Sequence, residues 1–325
     1  MQYNDKVYGR FEINEPIILK LLKLPQMQRL KKVHQNGIYF YFWPKFNTNR
    51  FEHSIGVMLL LKRFNAGLAE QVAGLLHDIS HQAFSHVIDY FYDNNIKADH
   101  QDSIHQDFIN DRVIEKILEF EGLSSKKIGN FANWSLLDND LPNLCADRLD
   151  YTLRDSFAAG LASKKLIKQV LNDLSVDKRG FVFNNLAPAK LLGKLSLKMQ
   201  AEVWHSDWGE LSFYLMGEIL KHAIDKKIIS IEDFWLGDKE LLAKLNLIQD
   251  PWINSRLNFI KRIRKINLKG SRDDYDLVYP NKFRVINPWV KDKRLTEVDP
   301  EFKKNFEASK AKAKIGHYLK FNIGK

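Results

Sequence analysis

The 325-residue chain has a single cysteine, Cys145. A disulfide within the chain is therefore excluded, and so is a zinc site built on cysteines. Any metal ion must be held by histidine and carboxylate. Long apolar runs are missing too. No stretch approaches the ~18 consecutive apolar residues of a membrane span, and Met1 to Lys6 hold no apolar signal segment. The expectation is a cytoplasmic protein with no membrane partner. Internal repeats and low-complexity tracts are absent. Hydrophobic residues make up 45% of the chain, charged residues 28% and aromatics 12%. That composition excludes a disordered, collagen-like or coiled-coil chain and leaves ample material for a large core.

Charge is uneven. The net charge is +10, yet residues 256–325 hold 19 Lys+Arg against 8 Asp+Glu, while residues 1–255 hold 31 against 32. The basic surplus lies wholly in the C-terminal part. It reads as a solvated face, with an anion-steering or nucleic-acid-contacting surface as the alternative. Histidine is uneven as well. Seven of ten lie between His34 and His105, interleaved with carboxylates, as a cysteine-free metal site requires.

Apolar residues recur mostly at helical spacing. Helices are expected over 15–33 with a break near Pro25, and over 54–65, 68–77, 86–92, 101–120, 142–157, 164–174 and 187–224. Residues 37–43 have strand propensity, and 179–183 and 282–286 read as strands. The expected fold is mostly α. A core over 1–160 is followed by a helical and mixed region, 161–325, that is basic from about residue 256.

Four polar segments stand out: Asn49 to Val57, Leu76 to Asp89, Asp99 to Asp102, and Ala146 to Asp155. His77 and Asp78 are adjacent, so on a regular helix they would point about 100° apart. They can share one ion most simply at a helix end, and the apolar run before them places them against core. A His/Asp set without cysteine suits a divalent ion such as Mn, Fe, Ni or Zn. Asp147, Tyr151 and Asp155, spaced by four, line one helical face.

The order His53, His77-Asp78, Asp147 resembles the HD-domain metal-dependent phosphohydrolases, and within them the deoxynucleoside triphosphate triphosphohydrolases. The likeness spans about residues 14–160. It includes Pro25-Gln26-Met27-Gln28-Arg29-Leu30, Gln35-Asn36-Gly37, Arg50-Phe51-Glu52-His53-Ser54-Ile55-Gly56-Val57, Gly74-Leu75-Leu76-His77-Asp78-Ile79-Ser80-His81 and Asp147-Arg148-Leu149-Asp150-Tyr151. The resemblance implies a divalent ion (Mn, Fe, Ni, Zn, Co or Mg) held by His53, His77, Asp78 and Asp147. It implies a phosphate contact from Arg50, an acid/base pair of His86 and Asp89 at the leaving group, and support from His100. Gln35 would contact the sugar 3′ hydroxyl, His81 and Arg148 the phosphates, and Tyr151 and Asp155 the sugar. A homo-oligomer is implied too.

Two positions depart from the triphosphohydrolases. Their glutamine is followed by an apolar residue that crowds the ribose 2′ position, where this chain has Asn36. Their nucleotide-activated members carry an acidic residue before the Thr-Pro of the N-terminal string, where this chain has Lys23-Leu24-Pro25. His105 reads as a surface histidine. The segment Trp204-His205-Ser206-Asp207-Trp208 reads either as reaching the base pocket or, for its tryptophans, as core or interface, and Arg154–Asp155 either as site residues or as a surface ion pair. The expected activity is hydrolysis of dNTPs to deoxynucleoside and triphosphate. The alternatives are a nucleotidase or phosphodiesterase on monophosphate, cyclic or oligonucleotide substrates, and a non-catalytic nucleic-acid-binding protein.

Overall fold

Helices form where apolar residues recur every three to four positions, and their ends follow local chemistry. A computed structural model of the chain describes residues 1–93, 100–279 and 282–323; Asp99 lies outside the described residues. The expected break at Pro25 separates helices Pro16–Leu22 and Pro25–Arg29. Each opens on a proline, whose missing N–H would have no intrahelical partner in the first turn. Residues 101–120 form two helices rather than one, His100–Ile109 and Arg112–Phe120. Asp111 divides them, because its carboxylate accepts from the backbone N–H groups of Val113 and Ile114 and caps the second. Residues 187–224 are also divided: helix Leu186–Met199, a π-helical turn Gln200–Trp204, then helix Asp207–Asp225 capped by Ser206.

Strands are few and short. The hairpin Gln2–Asp5 with Gly9–Glu12 is antiparallel. Gly180–Phe183 pairs antiparallel with Leu174–Asp177 and parallel with Trp289–Val290. Residues 37–43 are not a strand: Gly37–Tyr41 is a 3-10 helix. Gly37 has φ +52°, and a Cβ there would come within 2.6 Å of the Phe84 carbonyl oxygen. Residues 282–286 run without a partner strand among the described residues.

Three buried clusters organise the molecule. The largest gathers helices Arg50–Arg63, Leu68–Leu76 and Ala146–Ala158 with the N-terminal segment and with Leu295, Phe302 and Phe306 from the C-terminal part. The second packs Ala83, Phe84, Val87 and Ile88 on helix Asp207–Asp225 and on Phe234, Leu257 and Ile260. A small third joins Tyr39, Phe46, Met199 and Val203. Helix Arg50–Arg63 spans the division between core and chemistry. Its first turn buries Arg50, His53 and Ser54, whereas its later turns bury Ile55, Val57, Met58, Leu60 and Leu61. Each such apolar side chain contributes about 1.5–3 kcal/mol on full burial. No helix among the described residues is long and apolar enough to cross a membrane.

Gly56 sets how closely helices Arg50–Arg63 and Ala146–Ala158 approach. A Cβ there would lie 2.1 Å from Asp150 Oδ1 and 2.2 Å from an Arg154 guanidinium nitrogen. Gly56→Ala is therefore expected to destabilise the fold by at least about 1–3 kcal/mol, the usual range for overpacking. Chemical denaturation would measure it, and an unchanged midpoint would show that the helices can move apart.

Candidate active site

Helix Leu68–Leu76 stops at His77, so His77 and Asp78 sit at a helix end, as their adjacency requires for a shared ion. Helix Arg50–Arg63 brings His53, and helix Ala146–Ala158 brings Asp147 from its first turn. His53 Nε2 lies 3.2 Å from His77 Nε2 and 3.0 Å from Asp147 Oδ1, and His77 Nε2 lies 3.6 Å from that oxygen. These three ligand atoms form a group able to hold a metal ion.

The surroundings decide which ring nitrogens face inward. His77 Nδ1 is 2.8 Å from the Gly74 carbonyl oxygen, which can only accept, so Nδ1 carries the proton. His53 Nδ1 donates to Asp150 Oδ2 at 2.7 Å. Both Nε2 lone pairs therefore converge, beside a carboxylate, on one point. Two neutral imidazoles so placed would oppose their lone pairs, so the point between them and the carboxylate favours positive charge, whether a proton or a metal ion, and an outer partner on each Nδ1 is the usual support of a metal-binding histidine. Burial disfavours a charged His53, yet Asp147, Asp150 and Asp78 overcome it and raise its pKa to about 10. The donor set thus fits a divalent ion.

Asp78 stands beside the group. Its carboxylate is 3.5 Å from His77 Nε2 and 3.7 Å from His53 Nε2, and it accepts from Arg50 at 2.8 Å. His81 Nε2 lies 3.2 Å from Asp78 Oδ1. Burial and the Arg50 charge lower the His81 pKa to about 3, so His81 is neutral and donates. Arg50 is further held by Ser85 Oγ at 3.0 Å. His86 Nδ1 donates to Asp89 Oδ2 at 3.0 Å, leaving Nε2 for exchange with substrate. Phe84 and Ser85, immediately before His86, both have positive φ, 61° and 51°. Strained backbone of this kind persists only where neighbours enforce it. His100 reaches the pair through its backbone N–H, which donates to Asp89 Oδ1 at 3.2 Å, while its ring stacks on Tyr92.

The profile of the HD domain family matches residues 50–155. Over 98% of the chain, the sequence is 32% identical to YdhJ, an uncharacterized protein of Bacillus subtilis, covering 99% of that protein. It is 29% identical to the metal-dependent phosphohydrolase cns2 of Cordyceps militaris over 88% of this chain and 84% of cns2. The chain belongs to the HD-domain metal-dependent phosphohydrolases. It also resembles the deoxynucleoside triphosphate triphosphohydrolase SAMHD1 of Bos taurus, with 31% identity over 37% of this chain and 24% of SAMHD1.

The HD residues open onto a cavity of about 410 Å³ lined by all the proposed site residues except His100. Gln35 and Asn36 form one side. Gln35 Oε1 is buried and has no hydrogen-bond partner among the described residues, and Asn36 Nδ2 donates to Asp155 Oδ1 at 3.0 Å. Asp155 also accepts from the Trp204 indole N–H at 2.9 Å, and Tyr151 meets Trp204 edge-on. Burial raises the Asp155 pKa against these two donors. Trp204 is thus a cavity residue, not only core. Arg154 does not pair with Asp155. It is buried and bound to Asp150 and Asp5, so the surface ion pair is excluded. Arg148 faces Asp138 at 3.2 Å and Asn139 at 2.9 Å. His105 is buried rather than at the surface, with its ring against Phe131 and Nδ1 3.4 Å from Ser80 Oγ.

Several residues of the HD site lay beyond sequence reasoning. Asp238 is fully buried, and its carboxylate accepts from the His34 backbone N–H, from His34 Nδ1 and from the Phe84 N–H, each at 2.7 Å. It joins the Gln35 loop to the strained turn before His86. Glu210, Lys282 and Arg284 complete the cavity wall beside Trp204 and His205, whose segment the sequence offers for the base pocket. The only signal of those three was the charge content of a region with no recognisable string.

Proposed function

We propose that the chain hydrolyses nucleotides, with dNTPs as the first substrate class and deoxynucleoside and triphosphate as products. The observation that carries this reading is one cavity joining the His53–His77–Asp147 group to a wall with an unpartnered buried acceptor, Gln35 Oε1. A buried acceptor without a donor costs about 1–3 kcal/mol, and a sugar hydroxyl would satisfy it. His53, His77 and Asp147, beside Asp78, would hold a divalent ion, which would supply charge neutralisation at phosphate and activation of water. Arg50, fixed by Asp78 and Ser85, presents a positive charge that needs no reorganisation. In the proposed step a water oxygen bonds to the α-phosphorus, its proton passes to solvent, and the bond to the 5′ oxygen breaks. His86 gives its proton to that oxygen, with Asp89 orienting the ring.

A second reading, a nucleotidase or phosphodiesterase on monophosphate, cyclic or oligonucleotide substrates, draws on the pairing of Arg50 with Asp78 and Arg148 with Asp138. Two of the cavity's cations are already partly neutralised, which suits a less charged substrate. The deciding experiment offers purified protein Mn, Mg, Ni or Co with dNTPs, NTPs, monophosphates and a generic diester, and reads products by chromatography. Triphosphate release from dNTPs is expected. NTP turnover is expected beside it, because Asn36 makes the sugar wall polar through Asp155. Orthophosphate release or diester cleavage alone would move the chain to the second reading. Silence across the panel, with salt-sensitive binding to DNA or RNA, would mark a binding protein.

A further inference from the structure

Residues 282–287 enter the cavity wall from the distant C-terminal region, and side chains hold their backbone in place of a strand. Gln200 Nε2 donates to the Lys282 carbonyl oxygen at 3.1 Å, and Gln200 Oε1 accepts from the Arg284 N–H at 3.1 Å. One amide thus satisfies a carbonyl and an N–H as a neighbouring strand would. Ser196 Oγ accepts from the Ile286 N–H, and the Pro142 carbonyl oxygen from the Asn287 N–H. In an extended chain, alternate residues share a side. Phe283 meets Phe306 edge-on and Val285 is fully buried in the main core, whereas Lys282 and Arg284 line the cavity. Gln200 itself opens the π-helical turn, a distortion often found at functional sites.

Arg284 differs from the other arginines of the cavity. Arg50 is bound to Asp78, and Arg148 to Asp138. The Arg284 side chain has no carboxylate within ion-pair distance among the described residues. It shares the cavity lining with His86 and Tyr151, and its positive charge lowers the pKa of each. A guanidinium in a concave wall, uncompensated by a carboxylate, is suited to a phosphate.

We infer that Arg284 is a phosphate-binding residue and that the C-terminal segment, rather than the HD core, supplies the cation for the outer phosphates of a polyphosphate substrate. The inference rests on the nucleoside-triphosphate reading and sharpens it. In this assignment Arg284 selects the longer anion.

The test is calorimetric titration of inorganic tripolyphosphate into the full chain as purified and into Arg284→Gln, Arg284→Lys and Arg272→Gln. Arg272 belongs to the same basic region but is exposed and outside the cavity lining. Arg284→Gln is expected to weaken tripolyphosphate binding by about 10- to 100-fold, the range for losing a charge-assisted hydrogen-bond pair. Arg284→Lys is expected to weaken it several-fold, since the charge stays and the fork is lost. Arg272→Gln should match the parent chain. An unchanged affinity in Arg284→Gln, or an equal loss in Arg272→Gln, overturns the assignment. Should Arg284→Gln melt early by circular dichroism, Arg284→Lys decides, and parent-like binding there overturns it. Binding of the bare anion does not depend on which nucleotide is turned over. Tripolyphosphate held through Arg284, with no triphosphate released from any dNTP, would sink the substrate reading and leave the anion site standing. Triphosphate release by the parent chain, with Arg284→Gln unaltered in affinity, would do the reverse.

Discussion

Asp147→Ala is expected to leave no measurable hydrolysis and a protein that loses its metal on dialysis. The carboxylate lies 3.0 Å from His53 Nε2 and 3.6 Å from His77 Nε2 and carries the negative charge of the three-atom group. Without it, the two Nε2 atoms remain 3.2 Å apart, and the one carboxylate left beside them, Asp78, is already paired with Arg50. Replacing an outer partner of a metal-binding histidine weakens metal affinity about 10- to 100-fold, so loss of a ligand should exceed about 100-fold. Metal content by mass spectrometry after dialysis, beside turnover, checks it. A variant with a full equivalent of metal and parental turnover would remove Asp147 from the centre. Asp78→Ala should lose metal and turnover as well, but it also leaves Arg50 buried without its carboxylate. Uncompensated buried charge costs roughly 3–5 kcal/mol, which makes Asp147 the cleaner position.

His86→Ala should keep the metal and lose about 10²- to 10⁴-fold in rate, the usual contribution of a positioned proton donor. His86 makes no contact with the metal group. Its partner is Asp89, and its nearest ring is that of His81, 5.3 Å away between centroids. Burial, opposed by Asp89, holds its pKa below the ordinary imidazole value of 6.5. The acid form is the active one, so kcat/KM should fall as pH rises through a value below 6.5, and the variant should lose that limb. A His86→Ala enzyme with parental rate, or one that retains the limb, would end the acid assignment.

Much of the site was readable because its chemistry lies in short strings. His53 follows Arg50 by three, His77 precedes Asp78 directly, and Asp147, Tyr151 and Asp155 follow helical spacing. Periodicity reports such local geometry well. It failed where a polar residue intervenes in an apolar pattern. Asp111 caps a new helix inside 101–120, and the π-helical turn at Gln200 interrupts 187–224. It failed also at 37–43, where aromatic residues with strand propensity pack into separate clusters and Gly37 turns left-handed.

The sequence alone determined that a metal here must be held by histidine and carboxylate, that the fold is mostly helical, and that its strings are those of an HD phosphohydrolase. Each of these depends on residue type and on spacings of a few positions. Only the tertiary structure decided that Asp238 fastens the Gln35 loop to the turn before His86, that Trp204 reaches Asp155, and that Arg284 enters the cavity wall with no carboxylate paired to it among the described residues. Those hydrogen bonds join residues 49 to 204 positions apart, and no local pattern records which distant segments a buried carboxylate or a folded-back segment will meet. That is decided by how the three apolar clusters close around the cavity.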